Sequence, residues 1–174
     1  KLFWSFVESW IIKRVDLVVC VSNAAADYFA AKYNIPKPLV VTNCAKRQRL
    51  HEHENVKSSY FEVLNHGQFY EGRGYDIMVE AAAISRNTQI KYVLRGFGRM
   101  EPELRSFVDE KGLTNVTFAP PVKTTELIPA ARTSHVGLAI TVPINLNFKL
   151  SVSNKIFEYV SAGLPVIMSD IPEH

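Results

Sequence analysis

The sequence is poor in several features that would each announce a class of protein. It has two cysteines in 174 residues, Cys20 and Cys44, without CxxC spacing. Neither a disulfide framework nor a zinc site is expected, and a reducing cytoplasm is the expected compartment. No block of five or more Lys/Arg is interleaved with aromatics, and the formal charge is +3, which leaves nucleic-acid binding without support. No apolar run is long enough to span a bilayer, and no signal peptide is recognisable. The chain opens on Lys1 rather than Met and is read as a fragment. No Asp-x-Asp pair occurs, so a divalent-cation clamp has no ligands and no metal is expected. His51 and His53 alternate in "HEHE" but lie in a polar stretch without further ligands, where a solvated loop is expected. What remains is ordinary: 47% hydrophobic and 21% charged residues exclude disorder, and the length suits one sizeable α/β domain.

The patterns that are present alternate between helix and strand. Leu2, Phe3, Phe6, Val7, Trp10 and Ile11 recur at helical spacing. Trp4, Phe6 and Trp10 invite a membrane-contacting reading, but basic residues occur only at the end, Lys13 and Arg14, so packing on protein is expected. The run Leu17–Val21 reads as a buried strand, Ser22 or Asn23 as the cap of a helix reaching about Tyr33, and Leu39–Val41 as a second short strand. After it "NCAKRQRLHEHENVKS" is polar and aperiodic, which puts a boundary near residue 43. Beyond it the spacing predicts strand Phe61–Leu64, helix Tyr75–Ser85, strand Tyr92–Leu94, helix Pro102–Lys111, strand Val116–Phe118, a short helix Glu126–Ala131, strand Val136–Ile140, a loop, another helix and strand Val166–Met168. Such alternation implies an α/β, Rossmann-like parallel sheet with helices on both faces, whose ligands sit at the carboxyl ends of the strands.

The loops after strands are therefore the ones to read. In "HGQFYEGRGYD", Gly67, Gly72 and Gly74 allow tight turning and close approach, Arg73 supplies a planar cation, and the following helix presents free N–H groups, a combination suited to a diphosphate. The plainer alternative is a glycine-rich turn with a solvated arginine. In "RGFGRMEPEL", Glu101 stands where a dinucleotide fingerprint needs its third glycine, so Gly96 and Gly98 do not argue for a dehydrogenase. In "SNKIFEYVSAGLPVIMSD", Ser153 or Asn154 caps a helix with Ile156, Phe157 and Val160 as its buried stripe, ended by Gly163. Lys155 and Glu158 share the other face. Either they form an exposed ion pair, or the helix end meets a phosphate while Glu158, a double acceptor, holds a vicinal diol such as a ribose. His135 at the start of its strand reads as a boundary residue rather than a base.

Taken in order, "VVCVS", "VVTN", "NHGQFYEGRGYDIMVEA", "YVLRGFGRMEPEL", "NVTFAPPV", "SHVGLAI" and "SNKIFEYVSAGLPVIMSDIPE" resemble the second lobe of the family 4 retaining glycosyltransferases of the GT-B fold. The resemblance implies that residues 1–42 are the tail of the N-terminal lobe with the hinge. Residues 43–174 are then the nucleotide-sugar-binding lobe, lacking its closing helices. It implies a hexosyltransferase-like enzyme that moves a sugar from a nucleotide-diphosphate donor to an acceptor glycan or lipid-linked saccharide with retention, in bacterial polysaccharide biosynthesis. No cofactor beyond the donor substrate, no metal and no nucleic acid is implied. The protein would be cytoplasmic, with peripheral contact at the inner membrane through the other lobe, and this chain alone would be inactive. By the same resemblance Gly67, Arg73, Gly74, Ser153, Asn154 and Lys155 bind the donor diphosphate and Glu158 the ribose. Two positions depart from the family: Leu150 stands where a glutamate often contacts the donor sugar, and Gln68 where an arginine is common. A non-catalytic homologue serving as a binding or regulatory subunit, or a GT-B nucleotide-sugar epimerase, are the alternatives.

Overall fold

The computed structural model describes residues 2–45, 59–85, 87 and 89–174; His51 and His53 lie outside them. The chain begins with α1 (Leu2–Ile11), β1 (Val19–Cys20), α2 (Asn23–Tyr33) and β2 (Leu39–Val40). Ser22 caps α2 as its residue type suggests, its hydroxyl accepting from the Ala25 N–H at 3.1 Å. The helix stops at Asn34, which takes the left-handed conformation that asparagine tolerates. β1 and β2 pair in parallel, and α2 covers them through Cys20, Ala25 and Ala26. The expectation of a buried strand at Leu17–Val21 is corrected here: Leu17, Val19 and Val21 are exposed, because β1 pairs with β2 alone among the described residues and α2 covers one face of the pair. Phe3, Trp4, Phe6 and Trp10 of α1 are exposed as well. Glu8 ties α1 to α2 by accepting from Lys32 Nζ at 3.2 Å and from the Tyr33 hydroxyl. Among the described residues no helix is long and apolar enough to cross a membrane.

The rest of the chain builds one five-stranded parallel sheet from β3 (Phe61–Gln68), β4 (Ile90–Phe97), β5 (Val116–Ala119), β6 (Val136–Ala139) and β7 (Val166–Met168), in the order β5-β4-β3-β6-β7. Helices α3 (Tyr75–Ile84) and α4 (Glu101–Glu110) lie on one face, and α5 (Leu127–Ala131) and α7 (Asn154–Ser161) on the other; a one-turn α6 (Leu146–Leu150) precedes α7. Strand alternation divides the core. Val63 and Leu94 join Met78, Val79, Leu104 and Val108 on the α3/α4 side, while Leu64 and Val93 join Ile128, Ala131, Tyr159 and Leu164 on the α5/α7 side. The α/β Rossmann-like architecture is as the alternation implied.

β3 and β4 run to eight residues each, well past the apolar runs that mark them in sequence. Past Leu64 and Leu94 they continue as Asn-His-Gly-Gln and Arg-Gly-Phe, yet they pair in register as far as Gly67 with Gly96 and Gln68 with Phe97. The backbones come so close there that a Cβ on Gly96 would lie 1.8 Å from the Gly67 carbonyl oxygen. Gly98 faces the Phe69 backbone in the same way, at 2.5 Å. These glycines serve strand approach, which is why they sit in a glycine pattern without a dinucleotide fingerprint. The strand order reverses between β3 and β6, and the carboxyl ends on either side of that reversal open a crevice.

Candidate functional site

The crevice is a cleft of about 410 Å³ lined from β3 by His66, Gly67 and Gln68, from the loop after it by Tyr70 and Arg73, and from α7 by Ser153, Asn154, Lys155 and Glu158. Of the residues singled out in the sequence, Gly67, Arg73, Ser153, Asn154, Lys155 and Glu158 thus meet in one cavity, although some 80 positions of chain separate the two groups. Gly74 does not line it; it opens α3 in the left-handed conformation with Ile140 against it. A second cavity of about 360 Å³, lined by Asn43, Cys44, Thr124, Thr125 and Ile128, adjoins the first and shares Leu127, Asn154 and Glu158 with it.

α7 does not bury the stripe its apolar residues suggest. Val160 is 62% exposed, and the buried positions are Lys155 and Tyr159. Tyr159 inserts between the sheet and the helix because Gly137 of β6 makes room: a Cβ there would stand 2.3 Å from the tyrosine ring. Its hydroxyl accepts from the His66 backbone N–H at 2.9 Å, which anchors α7 over the carboxyl end of β3. With the helix so rotated, Lys155 and Glu158 point into the cleft, and the alternative of an exposed pair between them is not what forms. Lys155 Nζ donates to Asn65 Oδ1 at 2.8 Å, and Glu158 Oε2 lies 2.7 Å from His66 Nε2.

The electrostatics follow from this burial. Desolvation, reinforced by the nearby Arg73 charge and partly offset by Glu158, pushes the Lys155 ammonium down to about 7. Arg73 is half-buried, its guanidinium 4.3 Å from the centroid of the Phe148 ring, and burial holds it below the usual arginine range. The Tyr75 hydroxyl is buried without a hydrogen-bond partner among the described residues, and burial pushes it above the usual phenol range. Two cations and an orphaned hydroxyl around one cavity fit an anion carrying several acceptor oxygens. Among the described residues no group of three or more His, Cys, Asp or Glu side chains could hold a metal ion.

Sequence reasoning missed Asn65, His66, Tyr75 and Phe148. An apolar strand ending in Asn-His is the visible trace of the first two. Phe148 belongs to α6, whose five residues are too few to show a period. Leu150, at the end of α6, turns away from the cleft: its side chain lies against the Cys20, Ala25 and Ala26 cluster, and its carbonyl accepts from the Ser22 hydroxyl. Gln68 stays in the cleft wall. His135 is used structurally, its Nδ1 accepting from the Glu62 N–H at 3.1 Å.

Comparison with known proteins agrees with this geometry. No curated protein matches the chain in sequence. Among solved structures, a glycosyltransferase from Rickettsia africae superposes with a TM-score of 0.75 at 13% identity, covering 97% of this chain and 49% of that one. Anabaena HepE in complex with UDP and glucose gives 0.70 at 17% identity, covering 90% and 45%. A variant of S. aureus TarM in complex with fondaparinux, α-GlcNAc-glycerol and UDP gives 0.74 at 13%, covering 92% and 31%. The chain therefore spans between about a third and a half of the length of these proteins, and at such identities the likeness is one of fold. Sequence carries it further, since residues 60–174 match the model of the glycosyl transferases group 1, and the chain belongs to that family.

Proposed function

We propose that the protein transfers a sugar from a nucleotide-diphosphate donor, and that the cleft at the strand-order reversal receives the donor nucleotide. One observation carries this reading: Arg73, Lys155, the N-terminus of α7 and the Glu158 carboxylate all face one cavity. Relatives by fold have been solved with UDP. In this reading the diphosphate lies against Arg73, Lys155, the Gly67 backbone near the end of β3 and the N–H groups at Ser153 and Asn154, with Tyr75 donating its hydroxyl. Glu158 accepts from the ribose hydroxyls, and the adjoining cavity at Thr124, Thr125 and Leu127 receives the base. Negative charge that develops on the departing diphosphate as the sugar takes on oxocarbenium character is stabilised by the two cations and the oriented amides. These cations supply the charge that a divalent metal supplies elsewhere, so the reaction is proposed to be metal-independent.

The finer reading is a family 4 enzyme of the GT-B fold that retains anomeric configuration and hands a hexosyl group to a glycan or lipid-linked saccharide in polysaccharide biosynthesis. Residues 1–42 would belong to the N-terminal lobe and hinge, and 43–174 to the nucleotide-sugar lobe. The cytoplasm, with contact at the inner membrane face through the other lobe, is the proposed location, and the 174-residue chain by itself would not turn over.

Two substitutions in the full-length protein test the donor site. Glu158→Ala should weaken nucleoside and nucleoside diphosphate alike, by about 1.5–3 kcal/mol or roughly tenfold to a hundredfold. Arg73→Ala should weaken only the diphosphate. Calorimetric titration with UDP, GDP and ADP and their nucleosides reads both, and unchanged affinities in a folded Glu158→Ala protein would refute the assignment. The removal of Leu150 from the cleft favours one second reading, a homologue that binds nucleotide without transfer. Absence of any sugar release by a full-length protein that binds the donor would select it.

A further inference from the structure

Resting on that reading of the cleft, we propose that His66 is a positioning residue that holds the Glu158 carboxylate in the orientation needed to accept a ribose diol. The imidazole is 1% exposed, tilted against the Tyr159 ring with centroids 4.5 Å apart, and its own backbone N–H is bound to the Tyr159 hydroxyl. Ring and main chain are thus both clamped to α7 at Tyr159, the residue next to Glu158. From that fixed place Nε2 reaches Glu158 Oε2 at 2.7 Å, while the Glu158 side chain keeps 18% of its surface exposed toward the cleft. A carboxylate only accepts, so Nε2 carries the ring proton and donates. Nδ1 is buried and has no partner among the described residues.

The arrangement uses one oxygen of the carboxylate from behind and leaves the other facing the cavity. Without the donor, a glutamate on a helix flank samples several rotamers, and a diol would have to select one of them at the expense of affinity. Asn65, the preceding residue of β3, stands in the same relation to Lys155. The two β3 side chains before Gly67 therefore present the two charges of α7 to the cleft.

His66→Phe keeps a ring against Tyr159 and removes the donor, whereas His66→Gln brings an amide N–H to about where Nε2 stands. In the full-length protein, titrated with whichever of UDP, GDP or ADP binds the wild type, His66→Phe should weaken nucleoside and nucleoside diphosphate together by roughly tenfold. Pyrophosphate affinity and melting temperature should stay at wild-type values. His66→Gln should recover nucleoside affinity to within about threefold of wild type, and in a Glu158→Ala background His66→Phe should have no further effect on it. A role confined to packing predicts the opposite pattern, with lowered melting temperature and parallel loss of pyrophosphate. Wild-type affinity in His66→Phe, no recovery in His66→Gln, or a parallel pyrophosphate loss would overturn the proposal. Should His66→Phe not fold, His66→Leu, which also lacks a donor, replaces it under the same criteria. A wild type that binds none of the three diphosphates would overturn the reading of the cleft itself, and this proposal with it.

Discussion

If the cleft receives a diphosphate as proposed, Lys155 should set the pH dependence of its binding, because burial beside Arg73 pushes its ammonium down to about 7. An anionic diphosphate requires the charged form, and the protein alone disfavours it. About half of the lysine is charged at pH 7, roughly a tenth at pH 8 and about a hundredth at pH 9. Affinity for a nucleoside diphosphate should accordingly fall about fivefold from pH 7 to 8 and about tenfold from pH 8 to 9. The other groups that face Lys155 do not produce such a slope. Arg73 stays charged throughout, Tyr75 is pushed upward by its burial, and His174 is pushed downward by its own burial and by both cations. The assay is calorimetry of the full-length protein at pH 8 in two buffers of different ionisation enthalpy, which should report uptake of close to one proton per diphosphate bound and none per nucleoside. In Lys155→Met the uptake and the slope should vanish together. The same group acts on stability with a definite sign. Its folded value lies below its unfolded value of 10.5, so the charged form costs stability in full below pH 7. That cost is relieved as pH rises from about 7 to 10.5, by about 1.4 kcal/mol per pH unit. Diphosphate binding without proton uptake, or an unchanged pH slope in Lys155→Met, would refute the reasoning.

Gly137→Ala would put a Cβ 2.3 Å from the Tyr159 ring, and overpacking of this kind should cost about 1–3 kcal/mol by denaturant titration; a variant as stable as wild type would mean that Tyr159 has room to move. Because Tyr159 backs His66, the surviving folded protein should also bind nucleoside more weakly than wild type. Sugar release from the donor should be indifferent to EDTA in the full-length enzyme, since Arg73 and Lys155 carry the charge compensation; a loss of tenfold or more that Mg²⁺ restores would refute metal independence.

The fold was legible because hydrophobic periodicity reports burial on long, regular elements. α3, α4 and the cores of β3 and β4 came within a few residues of their observed bounds. What was not legible has specific causes. The last residues of β3 (Asn65–Gln68) and of β4 (Arg95–Phe97) are held by pairing and by the Gly67–Gly96 approach, and in sequence their polar residues and glycines break the apolar runs. The apolar run Leu17–Val21 reads as a buried strand, yet β1 is Val19–Cys20 of a two-stranded sheet with one covered face, and Val19 is exposed. The gravest misreading was the face of α7. Its apolar residues Ile156, Phe157 and Val160 suggest one stripe, but the Tyr159 hydroxyl finds its donor on β3 and Gly137 leaves space for its ring. The helix is therefore turned by a polar anchor, and Lys155 is carried inward with it. Glu158 and Arg73 were found as individuals through the glycine-rich loop and the helix start. Their neighbours Asn65 and His66 were not, because an interaction across some ninety residues leaves no local pattern.

That rotation of α7 joins stability to the proposed function. Lys155 is disfavoured by its burial and again by Arg73, and Arg73 is disfavoured by its own desolvation. Glu158 partly offsets the Lys155 charge, but His66 already occupies one of its oxygens. Among the described residues the fold thus keeps two partly desolvated cations at the carboxyl ends of its strands with no ion pair to an acid, an arrangement that lowers the stability of the protein alone. An exposed Lys155–Glu158 pair, with the helix turned the other way, would have avoided that cost and buried Ile156, Phe157 and Val160 instead. The core chooses otherwise through Tyr159 and Gly137, two residues with no polar role toward the cleft except to aim the helix. Substitutions that ease the electrostatic burden, such as Lys155→Met, should therefore raise the melting temperature near neutral pH while reducing the protein's preference for diphosphate over nucleoside, the opposition between stability and activity expected where charge is buried to meet a ligand.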